Sequence, residues 1–168
     1  MDDYNDTIDI PKGVTVTVAP ELLTLKGSKG ELALAYPRKK LAVKMEGDKM
    51  RLTGSKVFVN TFSAHIMNAI TGVTEGHKQM MKFVFAHFPM KLEVKGATVN
   101  IKNFLGEKTD RHAKIIGKTK VVVKGQDVEI EGPDFYAVGQ TAANLRQATK
   151  VRAWDDRVFQ DGVYKVKT

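Results

Sequence analysis

Two stretches of this chain repeat each other, and the duplication limits its fold more than any other feature. Residues Leu41–Thr71 read LAVKMEGDKMRLTGSKVFVNTFSAHIMNAIT, and Thr119–Thr149 read TKVVVKGQDVEIEGPDFYAVGQTAANLRQAT. Laid together without a gap, Gly47 falls on Gly125, Leu52 on Ile130, Gly54 on Gly132, Ala64 on Ala142 and Thr71 on Thr149. Each copy reads strand, glycine turn, strand, glycine, helix, and self-similarity of this kind marks a duplicated unit. Upstream, Val18–Glu31 falls on Val94–Glu107, pairing Leu23 with Val99, Leu25 with Ile101, Lys26 with Lys102 and Gly30 with Gly106. The two registers differ by two residues, as a change in loop length would give. A unit of roughly 80 residues is near the lower size for a domain with its own core. The expectation is two domains of one topology, residues 1–81 and 82–168.

Within the first copy, alternation predicts strands near Thr7–Ile10, Val14–Val18, Leu22–Lys26, Glu31–Tyr36, Leu41–Glu46 and Lys49–Thr53. A helix follows at about Val59–Thr71, with Phe62, Ile66, Ala69 and Ile70 inward, ended by Gly72 and Gly76. The second copy predicts strands at Lys82–Phe88, Lys91–Lys95, Thr98–Asn103, Ala113–Ile116, Lys120–Lys124 and Asp127–Glu131. Its helix, Asp134–Thr149, buries Val138, Ala142, Leu145 and Ala148. Asp161-Gly162, between Arg157-Val158-Phe159 and Val163-Tyr164-Lys165, reads as a hairpin.

Charge narrows the function. The formal net charge is +8, which favours a polyanionic partner. Residues 1–82 hold 12 basic against 9 acidic side chains, and residues 83–168 hold 15 against 10, so the second half is the more basic. There is no cysteine, which excludes disulfides and thiolate metal sites and suits a reducing compartment. The acidic start, Met1-Asp2-Asp3, does not resemble the n-region of a signal peptide. No apolar run approaches the ~20 residues needed to cross a bilayer as a helix.

Catalytic and metal chemistry find little support. His65, His77, His87 and His112 form no HxH or HExxH pattern. Asp127, Glu129 and Glu131 alternate on one strand face and read as a solvated face rather than a cation site. Asp155-Asp156 reads as a turn or as a salt bridge to Arg157. None of the serines sits in GxSxG, and the chain has neither a P-loop nor GxGxxG. The reading is a non-enzymatic chain with no cofactor and no metal.

The positive signal is in the last third. From Phe135 to Trp154 there is no acidic residue, while Arg146, Lys150 and Arg152 are present. Gly139 lies inside the predicted helix, where glycine costs about 1 kcal/mol relative to alanine. Its partner in the first copy is Thr61, so the duplicated topology does not require glycine there. Cations beside small residues suit RNA, whose phosphates need Lys or Arg and whose backbone needs room. An ordinary amphipathic helix with a solvated face accounts for the same residues.

The chain resembles the universal large-subunit ribosomal protein family L-six, in its archaeal and eukaryotic branch. The resemblance rests on Asn68-Ala69-Ile70 with Gly72-Val73-Thr74-Glu75-Gly76, and on Ala86-His87-Phe88-Pro89. It continues through Ile101–Lys108 with Arg111, Val138–Ala143, and Asp156–Tyr164. Bacterial members end in a basic Lys-Gly-Lys-Gly type segment, in place of which this chain has Phe159-Gln160-Asp161-Gly162. The resemblance implies an α+β fold, a tandem duplication of two similar small domains, each with two antiparallel-rich sheets and one helix around a single core. It also implies that the second domain docks on large-subunit rRNA near the sarcin–ricin loop, beside neighbouring ribosomal proteins and the landing site of translational GTPases. The residues expected at the RNA are Gly139, Gln140, Arg146, Lys150, Arg152, Arg157, Lys165 and Lys167, with Lys108, Arg111 and His112 as a second group. The alternative is a non-ribosomal RNA-binding module for tRNA or mRNA.

Overall fold

The structure is a computed structural model that describes residues 4–84, 87–155 and 157–166. The chain divides at Gly76–His77 into two compact units, residues 133–135 excepted. In the first unit, β1 (Tyr4–Asp9), β6 (Lys49–Gly54) and β5 (Leu41–Glu46) form one antiparallel sheet in the order β1-β6-β5. β2 (Thr15–Val18), β3 (Leu22–Gly27) and β4 (Gly30–Ala35) form the other, and α1 (Lys56–Thr74) is the single helix among the described residues. In the second unit, β7 (His77–Val84), β11 (Lys120–Lys124), β12 (Asp127–Gly132) and β13 (Gly162–Lys165) form a sheet in the order β11-β12-β7-β13. β8 (Lys91–Lys95), β9 (Thr98–Lys102) and β10 (Arg111–Lys114) form its partner sheet, with α2 (Phe135–Ala148) as the helix.

The repeat read from the sequence is thus a repeat of topology. β1-β6-β5 and α1 answer to β7-β12-β11 and α2, and β2-β3-β4 answers to β8-β9-β10. The hairpin glycines match in backbone as well as in alignment, with φ of 64° at Gly47 and 61° at Gly125. A side chain is disfavoured at both positions, since positive φ brings Cβ against the backbone. Each unit has one core. Leu23, Leu25, Met50, Leu52, Val59 and Ile66 lead the first, and Val99, Ile101, Phe104, Val128, Ile130 and Leu145 the second. Alternation puts Leu23, Leu25, Met50, Leu52, Val99, Ile101, Val128 and Ile130 on inward strand faces, and the inner faces of the helices add Val59, Ile66 and Leu145; apolar burial there contributes about 25 cal/mol per Å².

Three expectations are corrected by the packing. The domain boundary placed at residue 81 falls inside β7, an unbroken strand hydrogen-bonded to β12 and β13. The division lies instead at Gly76, which has a φ of 82° and donates its N–H to Thr71 O at 3.1 Å. That arrangement is the usual left-handed end of a helix. Gly72 does not break α1; it lies on the buried face with Val59, Ile66, Ala69 and Val73. The hairpin expected around Asp161-Gly162 does not form. Its first arm is a tight turn, with Val158 and Phe159 donating N–H to Asp155 O at 3.1 and 2.9 Å, and only β13 is a strand.

Candidate nucleic-acid interface

α2 has a buried side made by Ala137, Val138, Thr141 and Leu145. Two threonines fix it to the rest of its unit. Thr141 Oγ1 donates to Ala137 O at 2.7 Å and accepts from Ile116 N–H at 3.1 Å. Thr149 Oγ1 donates to Leu145 O at 3.0 Å and accepts from Val163 N–H at 3.0 Å. Both are fully buried, and each spends its hydroxyl twice, which is how a buried polar group avoids its desolvation cost.

The opposite side of α2 carries the expected residues. Gly139, Ala143 and Arg146 are spaced i, i+4 and i+7, which brings them onto one stripe, Lys150 follows two residues beyond the helix, and all four are exposed. A Cβ built on Gly139 would meet nothing within 4 Å, so none of the described residues requires the glycine. Gly139 is the fifth residue of α2, so its N–H is bonded within the helix and cannot be one of the free donors of a first turn. Room beside the helix, rather than a donated N–H, is what Gly139 supplies. Gln140 Nε2 donates to Asn144 Oδ1 at 2.9 Å, and Asn144 Nδ2 donates to Lys114 O at 2.9 Å, tying the helix face to β10.

Around this stripe lie two flanks. One is an open groove of about 370 Å³ lined by His112, Lys114, Asn144, Gln147, Ala148 and Arg152, among others. His112 Nδ1 lies 2.9 Å from Asn100 Oδ1, its cross-strand neighbour. The other flank is Arg146, whose guanidinium sits 4.4 Å from the Tyr164 ring centre on β13. Lys165 is exposed at the end of the same strand. Arg157 is held by Asp155 through Nε and Nη2 at 3.1 and 2.9 Å. That pairing draws the Asp155 carboxyl below its ordinary range and raises Arg157. Lys167 lies outside the described residues.

Arg111 is engaged within the chain. Four of its donors are spent inside the chain: Nε and Nη2 grip the Glu107 carboxylate, and Nη1 donates to Ala148 O at 3.0 Å and Lys150 O at 2.9 Å. Its guanidinium also lies 4.3 Å from the Phe104 ring centre. Arg111 therefore satisfies carbonyls at the C-terminal end of α2, where orphan acceptors and the helix dipole favour a cation. Lys108, close by in sequence, stays exposed.

Sequence reasoning missed Lys114, which lines the groove, and Asn144, which braces it. The close run of Lys114, Lys118 and Lys120 beside β10 was the available signal. Glu129 was read as solvated, but it is 8% exposed and lies between Lys78 and Lys124, with Lys124 Nζ at 3.0 Å. Among the described residues, no group of three or more His, Asp or Glu is placed to hold a metal ion. Among the described residues, no helix is long and apolar enough to cross a membrane.

The profile of one family, described as ribosomal protein L6, matches residues 10–76 and 88–162, one block in each unit. The chain belongs to the ribosomal protein L6 family. It is 46% identical over 168 residues to the large ribosomal subunit protein uL6 of Methanosarcina mazei, covering 96% of this chain and 95% of that one. The uL6 of Ignicoccus hospitalis is 45% identical, with 94% and 90% covered. That of Saccharolobus solfataricus is 38% identical, with 96% and 93% covered. The L6 family is structural rather than catalytic, which agrees with a sequence that offers no nucleophile beside a base.

Proposed function

We propose that the chain is a structural constituent of the large ribosomal subunit that binds large-subunit rRNA through its second unit. The observation that carries this reading is the outer stripe of α2. Gly139, Ala143, Arg146 and Lys150 present two cations and two small residues, with Gln140, Arg152 and the His112–Lys114 edge beside them. A phosphate backbone fits such a surface, because small residues let it come close while guanidinium and ammonium groups replace its counterions. Lys108, Arg157 and Lys165 are outlying contacts of the same kind. Following the family resemblance, the docking site is near the sarcin–ricin loop, where translational GTPases land, on ribosomes of the cytoplasm. Neighbouring large-subunit proteins complete the surroundings.

Two measurements on the full chain test the reading. The protein should co-sediment with large subunits, and its affinity for a large-subunit rRNA fragment should fall steeply as salt rises. Charge reversal at Arg146 and Lys150 should weaken binding far more than reversal at Lys44 and Arg51 in the first unit. If tRNA or mRNA competes as well as the rRNA fragment and no co-sedimentation occurs, the chain is a general RNA-binding module instead.

A further inference from the structure

The two copies differ by one strand. β13 adds to the outer edge of β7 in the second unit, with Val163 opposite Phe83 and Lys165 opposite Met81. In the first unit β1 holds the place of β7, and among the described residues it pairs with β6 alone. The equivalence can be fixed residue by residue. Leu52 aligns with Ile130; Leu52 pairs with Asp6 and Ile130 with Gln79, so Asp6 stands for Gln79, Ile8 for Met81 and Ile10 for Phe83. The hydrogen bonds agree: Ile10 N–H donates to Asp48 O at 2.9 Å, and Phe83 N–H donates to the aligned Gln126 O at 2.9 Å. Backbone groups alternate in direction along an antiparallel strand. Thr7 and Asp9 therefore turn their N–H and C=O away from β6, as Met80 and Lys82 turn theirs toward β13. In the second unit Met80 O accepts from Val166 N–H at 3.1 Å. In the first, Thr7 N–H donates to the neighbouring Asp6 Oδ1 at 2.9 Å.

The helices show the same vacancy. Leu145 and Thr149 are fully buried in the second unit, whereas their aligned partner Met67 is 57% exposed and Thr71 is exposed too. Both threonines donate back into their helix, Thr71 to Met67 O at 3.1 Å and Thr149 to Leu145 O at 3.0 Å. Thr149 Oγ1 then accepts the N–H of Val163 on β13. A groove of about 580 Å³ lies between β1 and α1, lined by Ile8, Ile10, Met67, Ile70 and Thr71, with Asp6 and Asp9.

We propose that this open edge and groove receive an extended, basic segment of another protein, which adds as a strand antiparallel to β1. The second unit supplies the template. A Gly-Val-Tyr-Lys pattern meets the corresponding edge there, with an apolar residue inserted in the core and a lysine at the end. Strand addition of this kind gains affinity from main-chain hydrogen bonds and specificity from the pockets for alternate side chains. Charge decides what the occupant carries. Asp6 and Asp9 favour Lys or Arg, and Asp9 pairs with Lys49 only at the solvated surface, 3.2 Å apart with both side chains more than half exposed. Asp6, Asp9 and Pro11 also blunt the edge against adventitious pairing, and the two carboxylates disfavour an acidic strand.

The test uses the full chain in assembled large subunits, and so rests on the ribosomal reading. A photoreactive benzophenone amino acid placed at Met67 should crosslink to an extended, Lys/Arg-bearing segment of a second protein. The edge amides of Thr7 and Asp9 should exchange hydrogen at least about tenfold more slowly in the subunit than in the free chain. Those of Asp6 and Ile8, turned toward β6, serve as the reference. Thr7→Pro, which removes an outward N–H without touching the β6 ladder, should leave the free protein folded and abolish the Met67 crosslink. A chain that does not co-sediment refutes the ribosomal reading. A chain that co-sediments but crosslinks only to RNA or to nothing, with Thr7 and Asp9 unprotected, overturns strand addition alone.

Discussion

The Arg111 guanidinium grips the Glu107 carboxylate with two parallel hydrogen bonds, one of them Nε to Oε2 at 2.7 Å. The fork leaves Nη1 to donate to Ala148 O and Lys150 O, at and just beyond the C-terminal end of α2. Arg111→Ala should therefore cost stability, about 2 kcal/mol, since acceptors lose a charged donor. Arg111→Lys should recover only part of it, because an ammonium cannot make the same planar fork. Chemical denaturation of the two variants measures both effects.

The same pair predicts a pH dependence. The Arg111 hydrogen bond holds the Glu107 carboxyl below its ordinary value of 4.5. A carboxyl with a depressed folded-state pKa contributes stability above its unfolded value and loses it as pH falls through the folded one. The contribution should thus be constant above about pH 5 and vanish on further acidification. Glu107→Gln should flatten that part of the stability profile. An unchanged acid limb in the variant would show that Glu107 is not among the groups responsible.

Gly139→Ala should raise the stability of the free protein by about 0.5–1 kcal/mol, since alanine is the better helix former and its Cβ meets nothing. The same change should weaken rRNA binding, and Gly139→Val should weaken it further. Melting curves paired with RNA titrations separate the two effects. A variant that melts higher and binds as before would mean that no ligand approaches this point of α2.

Cations should differ in a graded way. Arg146→Ala and Lys150→Ala should each lower the salt dependence of rRNA affinity by about one unit of slope. Arg111→Ala should leave the slope alone, because four of its donors already serve the chain. A titration series between two salt concentrations reads this directly. Equal slopes for all three variants would contradict the assignment of the α2 stripe.

Thr149→Val should destabilise by about 1–3 kcal/mol, because the buried N–H of Val163 loses its acceptor. Faster hydrogen exchange at Val163, with little change at Val128, would locate the damage at β13.

The duplicated fold was legible because glycine turns and alternating strands are local signals that survive divergence. Gly47 with Gly125 and Leu52 with Ile130 kept their places, and β1-β6-β5 and β7-β12-β11 followed from them. What the sequence hid were long-range choices. Val158–Phe159 has the residues of a strand but turns back on Asp155, while β13 finds its partner in β7, far earlier in the chain. Likewise Arg111 reads as any loop arginine, and only the fold brings Ala148 and Lys150 within its reach. Thr141 and Thr149 interrupt an apolar face and were not legible as core, since the groups that satisfy them lie on other elements.

The position of β13 also sets an order of events during synthesis. Every described strand of the first unit, and its helix, lies between Tyr4 and Thr74. That unit has its full set of strands and its helix while the second is still being made, and domains fold as units from the N-terminus onward. β7 is the first strand of the second unit to emerge, yet its outer edge waits for Gly162–Lys165. Through that interval β7 stays open on the side that β13 will cover, as β1 does in the first unit, and the chain's own last strand can satisfy only β7.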